Sequence, residues 1–175
     1  MRIALTAGIL LGLLSAGAAE AATVTLAPTA LSAKAQEKFD AKYGAREIAP
    51  LTAYLQRQVV RELTKAGADV GPGGALRVET TLVAAEPNKP TMKQLTARPG
   101  LDYIRSRSVG GAELSARLVD AQGRVVDQID LSWRDPSLGW VTSEAPWSGA
   151  ENAMRLFARR VAERYTQIAP HTAGS

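Results

Sequence analysis

The chain of 175 residues contains no cysteine, a single histidine and few aromatic side chains. The first absence excludes disulfides and cysteinyl zinc sites, so packing must hold the fold together. It also removes the thiol that a bacterial lipid anchor would modify. His171 stands at the far end of the chain, so nucleophilic chemistry assisted by histidine lacks its base. Beyond the N terminus no apolar run approaches the roughly 20 residues of a membrane span. The net charge is only +4, a solubility feature unless it is concentrated in one place.

What is present begins with a leader. Arg2 precedes the uncharged run IALTAGILLGLLSAGAA, and Ala19-Glu20-Ala21 has the small-x-small form that a signal peptidase accepts. Residues 1–21 therefore read as a signal peptide cleaved near Ala21. The mature protein is expected to be periplasmic or secreted, without a transmembrane segment or lipid anchor. Residues 22–170 suit one domain with a single core, and 171–175 read as a flexible tail.

Hydrophobic spacing assigns the elements. TVTLAP (23–28) is a short strand stopped by proline. Ile48, Leu51, Leu55, Val59 and Leu63 recur every three or four residues, which predicts an amphipathic helix with Pro50 in its first turn and Gly67 at its end. SAKAQEKFDAKYG before it suggests a shorter helix closed by Gly44. After the turn GPGG, the segment LRVETTLVA alternates with the period of a half-buried strand. ELSARLVDAQGRVVDQIDLSW is a hairpin about DAQG, with Asp127 on its apolar face, a conflict that predicts a sheet edge or a bulge.

A last helix is expected to start with a capping box, Ser148 with Glu151. Its buried stripe is Met154, Phe157, Val161, Tyr165 and Ile168, and Glu151 with Arg155 and Arg159 with Glu163 are spaced to pair outside. The order β-α-β-β-β-α predicts an α+β fold of two layers, a mixed four-stranded sheet with two amphipathic helices on one face.

The stretch PNKPTMKQ opens the longest segment without a strong period, between Ala85 and Gly111. Its prolines end the preceding strand and forbid a regular continuation. Loop 86–107 gathers Lys89, Lys93, Arg98, Arg105 and Arg107 against Glu86 and Asp102, so the positive field is concentrated here. The candidate binding residues are Lys89, Lys93, Arg98, Tyr103, Arg105 and Arg107. In the competing arrangement Met92, Leu95, Leu101 and Ile104 tuck the loop over the open sheet face and the cations are merely solvated. Among the tryptophans, Trp133 belongs to a core face and Trp147 suits a hydrophobic staple, which leaves Trp140 as a candidate for stacking on a sugar or a partner.

Catalytic parts are scarce. Glu86, Asp102, Glu113 and Glu144 have no spacing that singles out an acid and a base, and VGGA (109–112) is too short for a phosphate loop. No catalytic residue, metal site or cofactor is expected.

EKFDAKYGAREI, EPNKPTMKQL, RPGLD and the RS…GGA approach to the hairpin resemble a family of uncharacterised exported proteins of Gram-negative bacteria, over roughly residues 37–134. More remotely, the element order is similar to the small periplasmic α/β domains found at the amino terminus of TolB and in envelope-assembly lipoproteins. These resemblances imply a docking role. A double-stranded RNA-binding domain has a similar order of elements, but the leader and Glu151 at the start of the last helix argue against nucleic acid. The function expected from sequence is a non-enzymatic periplasmic binding or scaffolding domain that contacts an envelope protein, or an anionic glycan or lipid surface, through loop 86–107. The alternative is an envelope hydrolase or carbohydrate-binding protein that uses loop carboxylates and tryptophans.

Overall fold

Aliphatic residues at every second position turn the segment after GPGG into the spine of a mixed sheet. The structure is a computed structural model that describes residues 23–135 and 145–172. The expected leader and Trp140 lie outside the described residues. Six strands form the sheet: β1 (Thr23–Leu26), β2 (Ala30–Leu31), β3 (Asp69–Val70), β4 (Leu76–Glu86), β5 (Gly111–Asp120) and β6 (Val125–Arg134). Their order is β3-β1-β4-β5-β6, with β2 also paired to β4. The first two strands run parallel to β4, whereas β4, β5 and β6 are antiparallel. The sheet thus has two more strands than the sequence predicts, because β2 and β3 are two residues each and too short to display a period of two.

The helices are α1 (Ala33–Lys38), α2 (Ile48–Lys65), α3 (Met92–Ala97) and α4 (Ser148–Thr172). A π turn (Phe39–Tyr43) and a 3-10 turn (Ala45–Glu47) join α1 to α2. Gly67, at φ 87°, adopts the left-handed backbone that ends α2, as its position predicts. Helix α4 runs to Thr172, so His171 and Thr172 extend the helix where a tail was expected.

Both long helices bury their predicted stripes. Leu51, Leu55, Val59 and Leu63 of α2 join Met154, Phe157, Val161 and Tyr165 of α4 in one core with Val78, Leu82, Leu114 and Leu118 of the sheet. Each large apolar side chain removed from water contributes about 1.5–3 kcal/mol, so this layer carries the stability of a chain without disulfides.

Asp127 shows how the fold accommodates a charge on its core-facing side. It pairs with the buried Leu118 at the register shift between Leu118 and Val119, on the edge strand β6. There Arg164 of α4 reaches down with two bonds, Nε to Oδ2 at 2.6 Å and Nη2 to Oδ1 at 2.9 Å. Edge, bulge and a bidentate partner together keep the carboxylate charged, and the Arg164 guanidinium holds its pKa below the ordinary range.

The start of α4 corrects the expected capping box. The Ser148 hydroxyl donates to the Ala145 carbonyl instead of accepting from the helix, and the Glu151 N–H goes to the Trp147 carbonyl. Neither predicted outer ion pair forms among the described residues; Arg155 donates instead to the Tyr54 hydroxyl on α2 at 2.9 Å.

Candidate functional site

Strand β4 ends at Glu86, and the chain does not then leave for solvent. Residues 87–91 are all buried. Asn88 explains why. Its N–H donates to the Pro146 carbonyl at 2.7 Å, its carbonyl accepts from the Ser108 N–H at 2.9 Å, and its Oδ1 accepts from the Gly149 N–H at 2.6 Å. A residue 61 positions away thereby supplies the cap that Ser148 does not provide. Gly110 must be a glycine for the same reason, since a Cβ there would lie 2.0 Å from Asn88 Oδ1. The Gly110 carbonyl in turn accepts from the Asp135 N–H at 2.8 Å.

This anchoring places Lys89 inside the protein. It is only 5% exposed, and its ammonium sits 5.3 Å from the centroid of the Tyr103 ring. Thr91 then opens α3 with a capping box: the Gln94 N–H donates to Thr91 Oγ1 at 3.4 Å, and the Thr91 N–H donates to Gln94 Oε1 at 3.0 Å. The T-x-x-Q signature that identifies this turn is present in TMKQ.

Helix α3 carries Gln94 to the pocket wall and Arg98 just past its end joins it there, and the chain returns through a tip organised by Asp102. Its Oδ1 accepts from the Ile104 and Arg105 N–H groups at 2.7 and 2.8 Å, while the Ser106 N–H donates to its carbonyl at 2.8 Å. The backbone donors of Arg105 and Ile104 hold the Asp102 carboxyl below its ordinary pKa.

The opposite wall comes from the π turn. Phe39, Tyr43 and Trp147 form a triangle with ring centroids 5.5–5.7 Å apart, and Trp147 Nε1 donates to Glu47 at 2.9 Å. Trp147 is therefore a buried member of an aromatic cluster. That cluster fixes Tyr43, whose hydroxyl donates to Glu86; the Lys38 ammonium donates to the same carboxylate. Burial alone would raise the Glu86 pKa, but these two partners outweigh it and hold the carboxyl low. Burial, then the bond to Glu86, pushes the Tyr43 phenol well above its usual range.

These walls enclose a pocket of about 190 Å³. Among the described residues, Lys42, Lys89, Arg98 and Arg107 line it against one carboxylate, Glu86, whose charge is already met by Lys38 and Tyr43. A concavity lined mainly by one sign of charge focuses the potential and concentrates counter-ions, so this arrangement is suited to an anion. A larger groove of about 700 Å³ lies between α2 and β1, but its walls are mostly apolar and Arg61, one of its two cations, is engaged by Glu62. The smaller pocket is the one that gathers chemistry. Among the described residues no helix is long and apolar enough to cross a membrane, and no group of three or more metal-ligating side chains occurs.

Of the residues singled out from sequence, the structure brings Lys89, Arg98 and Arg107 together, with Tyr103 over Lys89. Lys93 points elsewhere and donates to the Asp40 carbonyl. Arg105 contributes a backbone bond to the tip but no pocket wall. Trp140 lies outside the described residues. Met92 and Ile104 do not tuck over the sheet: they are 55% and 71% exposed, while Lys89 is buried. Sequence reasoning missed Lys42 and Tyr43, although Lys38 and Lys42 are spaced to share a helical face beside Tyr43.

No family model matches the chain, and no curated protein matches it in sequence. Solved structures resemble it to differing degrees. A PelC dodecamer from Paraburkholderia phytofirmans is 14% identical over 81% of this chain and 84% of that chain, with a TM-score of 0.48. A minor lipoprotein from Acinetobacter baumannii is 14% identical over 87% of this chain and 94% of that chain, with a TM-score of 0.33. At 13% identity over 89% of this chain and 90% of that chain, with a TM-score of 0.52, the α+β fold is similar to that of protein XCC0632 from Xanthomonas campestris, of the family DUF330.

Proposed function

We propose that the protein is a non-enzymatic binding domain of the bacterial envelope, which holds an anionic group of a partner between the 87–108 connection and the π turn. The observation that carries this reading is the convergence of Lys42, Lys89, Arg98 and Arg107 on one small pocket with, among the described residues, one carboxylate that Lys38 already meets. Its volume of about 190 Å³ falls below the roughly 300 Å³ at which pockets begin to enclose whole small ligands. It suits a charged group that projects from something larger. The placement in the periplasm rests on the leader at 1–21, and the docking role accords with the exported families that the sequence resembles. An envelope hydrolase would need paired carboxylates across one pocket, and among the described residues Glu86 is the one carboxylate on this wall.

Isothermal titration of the purified protein with inorganic phosphate tests the reading. Wild type is expected to bind saturably, and the double variant Arg98→Ala, Arg107→Ala to bind at least about tenfold more weakly at an unchanged melting temperature, since hydrogen bonds to charged groups are each worth about 1.5–3 kcal/mol. Equal affinity in both proteins, or no binding in either, would overturn it.

A further inference from the structure

We infer that the anion is the phosphate of a lipid headgroup, and that the protein lands on a lipid surface through the tip at Tyr103 and Ile104; this rests on the reading of the pocket as an anion site. The outer wall of the pocket runs from Arg98 to Ser108, and its tip faces solvent. Ile104 is 71% exposed and Tyr103 43%, so the most apolar side chain of the segment points away from the protein. The tip is not a loose end. Four hydrogen bonds around Asp102 and Ser106 hold it in a defined turn, which presents Ile104 outward at little further ordering cost.

Around that apolar point the exposed charges are mainly basic. Arg98, Arg105 and Arg107 are exposed in the same segment, against one carboxylate there, Asp102, which is also exposed but whose Oδ1 already accepts two backbone N–H groups. An isoleucine and a tyrosine beside cations have the composition of an interfacial anchor: the side chains enter the headgroup boundary while the cations meet anionic lipid. The pocket beside them matches a headgroup phosphate in charge and offers more donors than the two oxygens of a carboxylate need, including the two guanidinium forks of Arg98 and Arg107. Tyr103 links the two features, since its ring lies over Lys89, a pocket residue, while the residue remains 43% exposed. A free phosphate would use the pocket alone; only a surface uses both.

Cosedimentation with vesicles separates these cases. The full mature protein is expected to bind vesicles of phosphatidylcholine doped with phosphatidylglycerol and to ignore phosphatidylcholine alone, with binding that weakens as salt rises. Ile104→Ser should weaken vesicle binding about tenfold, the scale of one apolar side chain withdrawn from an interface, and leave the affinity for inorganic phosphate unchanged. Arg98→Ala with Arg107→Ala should weaken both. Phosphate binding without vesicle binding would overturn the lipid surface and leave the anion pocket standing, as would vesicle binding that Ile104→Ser does not alter. Failure to bind either probe would overturn both.

Discussion

The two halves of the connection between β4 and β5 are built on opposite principles. Its first half, 87–91, is buried throughout: Asn88 ties it to the start of α4 and to the returning chain at Ser108. Its second half, 98–108, is surface, bonded chiefly to itself through Asp102 and Ser106. The anchored half delivers one cation, Lys89, to a fixed place, whereas the exposed half brings Arg98, Arg107 and the Tyr103–Ile104 tip to the outside. A site assembled this way has a rigid floor whose residues answer to the fold and a rim whose residues do not.

Substitutions should divide along that line. The largest effect is expected from Gly110→Val, because any Cβ would overlap Asn88 Oδ1; overpacking of this kind costs about 1–3 kcal/mol or more and would lower the midpoint of urea unfolding. An unchanged midpoint would mean that the floor is not rigid. Asn88→Ala follows, since it strands the buried Gly149 N–H at a cost of about 1–3 kcal/mol. Asn88→Asp keeps the accepting oxygen and places a negative charge at the positive end of α4, so it should recover most of that loss in the same assay.

Acid sharpens the comparison further. Glu86 titrates below its ordinary range in the folded protein, so its contribution to stability is fully present above that range and disappears as the pH falls through the lowered value. Thermal midpoints measured between neutral and acidic pH should fall less steeply in Glu86→Gln than in wild type. The smallest effect belongs to the rim: Tyr103→Ala and Ile104→Ser are expected to stay within about 0.5 kcal/mol of wild type by urea unfolding, as exposed substitutions do. A loss comparable to that of Asn88→Ala would erase the distinction between floor and rim.

What the sequence made legible follows the same division. Where period and burial agree, as in α2, α4 and the β5–β6 hairpin, spacing alone located the elements and their buried faces, and even the conflict at Asp127 pointed to an edge or a bulge, both of which are present. Two-residue strands escaped because a period cannot appear in two positions. The start of α4 at Ser148 was located correctly but its cap was misread, because the cap is Asn88, and no local pattern reports a hydrogen bond spanning 61 residues. The site was visible as a concentration of charge, but which cations converge depends on that remote cap. Lys89 and Lys93 are four positions apart and look equivalent in sequence, yet one is buried beside Tyr103 on the pocket wall and the other donates to the Asp40 carbonyl.

The central claim, that the pocket between the π turn and 98–108 receives an anion, is tested most directly by following backbone amide resonances during titration with inorganic phosphate. Saturable shifts with one common midpoint are expected at Lys89, Arg98 and Arg107, and none at the hairpin turn around Gln122. No saturable shift at those three residues, or shifts of equal size at the hairpin turn, would contradict it.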